Sequence, residues 1–235
     1  MANISAQFRV HGALNDLVPP QRRHRAFVVV CPEHATIKHT AEAMGIPHTE
    51  VGIVLLDGQP ADLAHRVPES GTVDLHPAPP PRAPLRFVAD VHLAGLARRL
   101  RLLGFDCVLA GDGPDEAIAR HAEREQRIVL TRDRELLKHR RVERGRYVRS
   151  LRTDAQAREV VDALDLRGHL RPFTRCLECN GELREARADE VAVRVPPAVA
   201  AVQRDYARCA GCGRVYWPGS HWRRLSALVD AARNG

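Results

Sequence analysis

The stretch LRFVADVHLAGLARRLRLLGFDCVLA, residues 85–110, decides the fold of the second half of the chain. Residues 85–90 contain a short apolar run and end in an acid, Asp90, and they predict a short strand. Residues 92–104 place leucines on one helical face and stop at Gly104, which is typical of a helix end. Residues 105–110 form a second strand pattern. Strand, helix and strand in this order predict a parallel βαβ unit.

The alternation of strands and helices continues beyond this unit. The sequence predicts a helix over 115–125, a third strand over 127–131, a fourth strand over 146–151 and a helix over 154–164. The fold class is therefore α/β, with a parallel sheet and helices on its faces. Ligands of such sheets bind at the carboxyl ends of the strands.

A proline-rich segment separates this region from the front of the chain. HPAPPPRAP, residues 76–84, holds five of the sixteen prolines and predicts a semi-rigid linker. Before it, strand patterns at 26–32 and 72–77 flank a helix at 35–46 and a hairpin at 51–61, which turns at Asp57-Gly58. These elements predict a small α+β domain.

This front domain resembles the β-grasp, ubiquitin-like sulfur carriers, above all over ATIKHTAEAMGI and GIVLLDGQPA. Those carriers end in Gly-Gly, whereas this chain reads His76-Pro77 at the corresponding point and continues. The resemblance therefore implies a docking role with a protein partner and not sulfur transfer.

Charge is divided unevenly between the two halves. Residues 1–84 carry 7 Lys/Arg and 8 Asp/Glu, while residues 85–235 carry 29 and 21. A basic second half indicates a polyanionic partner, although a run of charge is also an ordinary solvated face. The first residues lack a secretory apolar core and no run is long enough to cross a membrane, so we expect a cytoplasmic protein with reduced cysteines.

Carboxylates follow the predicted strands. Asp90 ends the first strand, Asp115 and Glu116 begin the helix after the second, and Asp133 comes two residues after the third. Because these points lie at one edge of a parallel sheet, the acids can share a Mg²⁺ or Mn²⁺ ion. The alternative is that each aspartate only caps a helix. Asp112 and Asp154 favour turn or cap roles.

Four cysteines form two CxxC pairs, separated by 29 residues, in RCLECNGEL and CAGCGRVYW. Two such turns supply the four thiolates of a structural zinc site. Its predicted ligands are Cys176, Cys179, Cys209 and Cys212. Cys31 and Cys107 lie in strand patterns and are expected in the core. EVAVRVPP, residues 190–197, reads as a strand between the pairs.

Basic and aromatic side chains supply candidate contacts with nucleic acid. Residues 132–152 hold nine Lys/Arg against three Asp/Glu. Trp217 and Trp222 lie beside arginines and could stack bases, or they could pack the small zinc module. The full predicted set is Arg98, Arg99, Arg101, Arg132, Arg134, Lys138, Arg140, Arg141, Trp217 and Trp222.

With these motifs, the second half resembles the Mut-seven C-terminal RNase family, a PIN-like nuclease fold with an appended zinc ribbon. The likeness runs from Phe87 to about Leu225 and includes FVADVHLAGLARRLRLLGFD, PDEAIARHA and IVLTRDRELL. A ubiquitin-like front domain is known in this family. The resemblance implies a metal-dependent ribonuclease site at Asp90, Asp115 and Asp133, with Glu116 as a close substitute for Asp115. Arg134 stands where another acid would be expected.

The complete prediction has four regions. Residues 1–78 form a ubiquitin-like β-grasp domain, 79–84 the linker, 85–170 a PIN-like RNase domain and 171–235 a zinc ribbon. The predicted function is a Mg²⁺- or Mn²⁺-dependent endoribonuclease. The alternative is a non-catalytic RNA-binding protein, associated with tRNA or the ribosome, that uses the same basic surface.

Overall fold

The computed structural model describes residues 2–234 and divides the chain into two compact units. One unit contains the described residues up to Pro81 together with Pro114–Glu125 and Thr131–Tyr147. The other contains Arg82–Gly113, Gln126–Leu130 and the described residues from Val148 onward. The two units therefore do not follow each other as single segments, and the four linear boundaries proposed from the sequence stay a prediction.

The front of the chain forms a mixed five-stranded sheet with one helix. Its elements are β1 (Asn3–Val10), β2 (Phe27–Pro32), α1 (Ile37–Ala43), β3 (Val51–Leu56), β4 (Gln59–Ala61) and β5 (Thr72–Pro77). The strand order is β2-β1-β5-β3-β4, with β1 and β5 parallel and the other neighbours antiparallel. Phe8, Ile37 and Leu75 are fully buried in its core. The predicted α+β architecture is confirmed.

Local chemistry explains two of these elements. The hairpin between β3 and β4 turns at Asp57 and Gly58 with φ of 49° and 79°, the left-handed geometry that a two-residue hairpin requires at both positions. Helix α1 begins after Thr36, whose side chain accepts a hydrogen bond from the His39 N–H at 3.2 Å. Strand β1 was not predicted, although its alternate residues face the core.

The middle of the chain alternates strands and helices. Its elements are β6 (Arg86–Ala89), α2 (Ala94–Leu102), β7 (Asp106–Leu109), α3 (Asp115–Glu125), β8 (Ile128–Thr131), α4 (Arg134–Lys138), β9 (Gly145–Tyr147) and α5 (Thr153–Ala163). Strand β6 is parallel to both β7 and β8, and Ala89 pairs with Leu109 on one side and Leu130 on the other. The predicted parallel α/β unit is confirmed.

Helix α2 ends as its sequence predicts. Gly104 takes φ 96°, its N–H donates to the Arg101 carbonyl at 3.0 Å, and the Phe105 N–H reaches the Leu100 carbonyl at 2.9 Å. This reversal satisfies the last carbonyls of the helix and directs the chain into β7. The leucine face of α2, including Leu96 and Leu100, is buried in the core of its unit.

The predicted fourth strand is shorter than the pattern 146–151 indicates. Strand β9 ends at Tyr147. The N–H groups of Arg149 and Ser150 each donate to the Glu159 carboxylate at 2.8 Å. The Glu159 side chain of α5 thus accepts the backbone hydrogen bonds that a neighbouring strand would accept if β9 continued.

The C-terminal part forms a small antiparallel sheet and three helices. Its elements are β10 (Leu183–Ala186), α6 (Ala188–Val191), α7 (Pro197–Val202), β11 (Tyr206–Cys209), β12 (Val215–Tyr216) and α8 (Trp222–Asn234), with strand order β10-β11-β12. The predicted strand over 190–197 is wrong. The Glu190 carboxylate accepts the Arg187 N–H at 3.1 Å and caps α6 instead. No helix in residues 2–234 is long and apolar enough to cross a membrane.

Candidate functional site

Two tight turns bring the four predicted cysteines together. Their sulfur atoms all lie within 4.8 Å of one another. The Sγ atoms of Cys176 and Cys212 are 3.7 Å apart, and those of Cys179 and Cys209 are 3.3 Å apart. Sulfur atoms around a tetrahedral zinc ion would be separated by about 3.8 Å, given a Zn–S bond of about 2.3 Å. The donor set and its spacing fit zinc.

Hydrogen bonds prepare two of these thiols to ionise. Burial raises the pKa of Cys176, but the Cys179 N–H and the Tyr216 hydroxyl outweigh it and lower that pKa to about 6. Burial likewise opposes ionisation of Cys209, whose pKa is nevertheless lowered by N–H groups of Cys212 and Gly211 and by the Cys179 thiol. The thiolate is the form that binds metal.

The first cysteine turn is fastened to the α/β sheet of its own unit by Arg101. This side chain is buried, and its guanidinium donates to the carbonyls of Cys107, Leu177 and Glu178 at 2.7–2.9 Å. The Asn180 amide oxygen accepts the Cys107 N–H at 3.0 Å. Arg101 therefore holds the turn in place, and its buried guanidinium is occupied by these carbonyls, whereas its role as an RNA contact stays a prediction.

Asp90 lies directly after β6, as predicted, and is half-buried. Its N–H donates to the Leu130 carbonyl at 2.9 Å, so its backbone is tied to the end of β8. Its side chain makes no capping hydrogen bond to the short 3₁₀ turn that follows at Val91–Leu93. The alternative that Asp90 is only a helix cap gains no support from this geometry.

Asp133 does cap a helix. Its carboxylate accepts the Glu135 N–H at 2.7 Å at the start of α4, and its own N–H donates to the Thr131 hydroxyl at 2.9 Å. The side chain is exposed. A carboxylate has two oxygens and about four acceptor sites, so capping leaves acceptor capacity that faces solvent.

Asp115 and Glu116 form the first turn of α3, where Asp115 is exposed. Glu116 is held by basic side chains of the same unit: its carboxylate is 2.6 Å from His139 Nε2 and accepts from Arg141 Nε at 3.2 Å. Burial alone would raise the pKa of Glu116, but the His139 hydrogen bond and the charges of His139, Arg141 and Arg120 lower it below its usual value.

The four cysteines are the one group of three or more His, Cys, Asp or Glu side chains in residues 2–234 whose ligand atoms lie within 4.8 Å of one another. The predicted carboxylates do not form a second such group. Mg²⁺ is commonly bound by one or two carboxylates and keeps several waters, so a site of this kind needs fewer protein ligands than zinc.

The predicted basic residues differ in their ion-pair partners and in their exposure to solvent. Within one unit, Arg98 pairs with Glu178 at 3.0 Å and Arg99 with Asp154 at 2.7 Å. Ion pairs at the surface contribute little to stability. Arg132 and Arg140 are exposed, whereas the remaining members are at least partly covered: Arg134, Lys138 and Arg141.

Arg134 has a structural role inside its unit. Its guanidinium donates to the carbonyls of Leu17 and Gly45 at 3.0 and 3.3 Å and lies over the Tyr147 ring at 4.9 Å. The arginine that stands where an acid was expected thus attaches α4 to two connecting segments of the front of the chain, one ending at Leu17 and one following α1 at Gly45. No signal in the sequence indicated this contact.

Comparison with known families gives two matches that together span most of the chain. The Mut7-C RNAse domain matches residues 85–229, and the Mut7-C ubiquitin domain matches residues 3–81. The human protein "Exonuclease mut-7 homolog" is 38% identical over 123 residues, which cover 49% of this chain and 14% of that relative. This chain therefore corresponds to a small part of the human protein. No solved structure matches it.

Proposed function

Because the chain belongs to the Mut7-C RNase family and carries the Mut7-C ubiquitin domain in front of it, we propose that it is a metal-dependent ribonuclease. The match over residues 85–229 carries this proposal. A second support is the position of Asp90 at the carboxyl end of a parallel strand, the end at which ligands of such sheets bind.

In the proposed site, the oxygens of Asp90, Asp115 and Asp133 hold Mg²⁺ or Mn²⁺, with Glu116 beside Asp115. Such an ion supplies an activated water and stabilises charge on the phosphoryl oxygens. The carboxylates fix the position of the ion, and the exposed arginines Arg132 and Arg140 hold the phosphates of the substrate. Asp133 would combine this role with its cap on α4.

We expect the purified chain to cut a circular RNA when Mg²⁺ or Mn²⁺ is added, and not when divalent ions are omitted. A circle has no end, so only an endonuclease can open it. A linear RNA of the same sequence, labelled at either end, serves as the control for exonuclease action. Cleavage of the linear RNA alone would replace the endonuclease assignment with an exonuclease, and cleavage of neither would contradict the ribonuclease proposal.

The alternative function is RNA binding without cleavage. It is favoured by the local partners of the acids, since Asp133 caps α4 and Glu116 is paired with His139 and Arg141. In that case, RNA would bind in a salt-sensitive manner, remain intact in every metal, and bind Asp90→Asn as tightly as the native chain. A tRNA or the ribosome is the proposed partner for this alternative.

The four cysteines are proposed to bind one structural zinc ion. We expect elemental analysis to find about one zinc per chain and Cys209→Ser to lose it, because the serine hydroxyl is a poor ligand for this ion. Cys107→Ser is the matched control. Cys107 is buried, and burial raises its thiol pKa to about 12, so it should not bind metal. Full zinc content in Cys209→Ser would contradict the site.

The ubiquitin-like sheet is proposed to dock a protein partner. Val28 and Val30 of its edge strand β2 are 62% and 64% exposed, and exposed apolar side chains in a strand are a common feature of interaction surfaces.

A cytoplasmic location stays a prediction from the sequence.

A further inference from the structure

A groove of about 540 Å³ lies beside the zinc module, within a single unit of the structure. Aromatic residues are scarce in this protein, with five Phe, three Tyr and two Trp. Half of them line this groove: Phe173, Tyr206, Tyr216, Trp217 and Trp222. Both tryptophans are among them. Tyr206 belongs to the small core of the module and Trp217 packs against it, but Trp217 stays only partly buried, so part of its ring also faces the groove.

The walls of the groove are held in place by the cysteine turns and by α8. The Tyr216 hydroxyl is 3.1 Å from Cys176 Sγ and accepts the Leu177 N–H at 3.1 Å. Trp222 is the first residue of α8, and one face of its ring stacks on Phe173 with centroids 4.1 Å apart. Trp217 follows Tyr216 in the chain and is half-buried. The aromatic surface is therefore prearranged.

The charge around the groove is mainly positive. Arg175 and Arg214 line it, and Asp205 is the one acid among its lining residues. Arg223 and Arg224 follow Trp222 directly and are exposed. Over residues 171–235, 11 Lys/Arg stand against 7 Asp/Glu. An apolar aromatic wall with cations beside it complements a ligand that has a flat ring attached to an anion.

We propose that this groove binds an unpaired base of single-stranded RNA by stacking, while Arg214 contacts an adjacent phosphate. Aromatic rings stack on any base, so the groove would hold RNA without reading its sequence. The inference rests on the proposed function in taking RNA as the ligand. It adds a second place of contact, on the zinc module, and explains why the module accompanies the RNase domain.

The two tryptophans provide a direct measurement, since every tryptophan of the chain lines the groove. An oligoadenylate is titrated into the full chain carrying Asp90→Asn and Asp133→Asn, with zinc bound and without added Mg²⁺, so that the RNA stays intact. Stacking should quench the tryptophan emission in a saturable manner. Inorganic polyphosphate, which has the charge but no bases, should not.

Variants of Trp217 then distinguish the loss of the aromatic ring from the loss of the folded structure. Trp217→Ala should weaken oligoadenylate binding at least about fivefold, whereas Trp217→Phe should retain most of the affinity because it keeps an aromatic face. Zinc content confirms that each variant is folded. Equal quenching by polyphosphate, or native affinity in Trp217→Ala with full zinc, would overturn the proposal. So would stronger quenching by a proline-rich peptide than by RNA.

The same experiments keep the two proposals apart. Quenching by RNA in a chain that never cuts RNA would leave the groove supported and contradict the ribonuclease proposal. Cleavage of RNA by a native chain whose tryptophans do not respond would support the ribonuclease and overturn the groove.

Discussion

Replacing Asp133 with asparagine is expected to lower the rate of RNA cleavage at least about a hundredfold and to leave the stability of the chain nearly unchanged. Asparagine keeps an oxygen that can accept the Glu135 N–H, and it caps helices as well as aspartate does. It removes only the negative charge that a divalent ion requires. Asp133→Asn therefore separates the two roles considered for this residue.

The matched control is Asp112→Asn, which removes the same charge from an exposed turn outside the proposed site. Single-turnover cleavage and thermal unfolding are measured for both variants, and Asp90→Asn is expected to behave as Asp133→Asn does. Cleavage by Asp133→Asn at the native rate would show that Asp133 is only a cap. A loss of activity that accompanies a lower melting temperature would assign the effect to folding.

Replacing Glu50 with alanine is expected to lower the free energy of unfolding by about 3–5 kcal/mol, because it leaves a buried arginine without its partner. The Glu50 side chain is fully buried and that of Arg146 is 6% exposed. Glu50 accepts from Arg146 Nη1 at 2.9 Å and from the Tyr147 N–H at 2.6 Å. The two residues belong to the same unit, although Glu50 lies in the ubiquitin-like region and Arg146 in β9.

Urea unfolding measures this effect, with Glu33→Ala as the control, since Glu33 is an exposed acid of the same unit. The double variant Glu50→Ala, Arg146→Ala should be less destabilised than the sum of the single variants. A loss below about 1 kcal/mol in Glu50→Ala would contradict the expected cost of a buried unpaired charge. Together with Arg134, this ion pair makes the ubiquitin-like region a structural partner of Thr131–Tyr147.

Local patterns in the sequence were sufficient for much of the fold. The Asp57-Gly58 pair predicts its hairpin because it favours left-handed backbone, and Gly104 predicts the end of α2 for the same reason. The spacing of the cysteines predicts their cluster, since each CxxC turn places two sulfurs on one side.

Competing local interactions account for the errors. Residues 190–197 alternate as a strand does, but the Glu190 cap and the paired prolines 196–197 favour helical turns. The burial of Arg101 and its three carbonyl partners could not be predicted, because the sequence shows its charge and not the distant carbonyls that it contacts. The pairing of Glu50 with Arg146 joins residues 96 positions apart, which no local pattern can indicate.

Binding of Mn²⁺, followed by electron paramagnetic resonance in the zinc-loaded chain, tests the proposed carboxylate site most directly. The free ion gives a strong signal that is lost when protein oxygens bind it, so bound Mn²⁺ can be counted without any RNA. We predict one saturable Mn²⁺ site in the native chain, absent from the Asp90→Asn, Asp133→Asn variant and retained in Asp112→Asn. Equal Mn²⁺ binding by all three proteins would contradict the assignment of these aspartates to a metal.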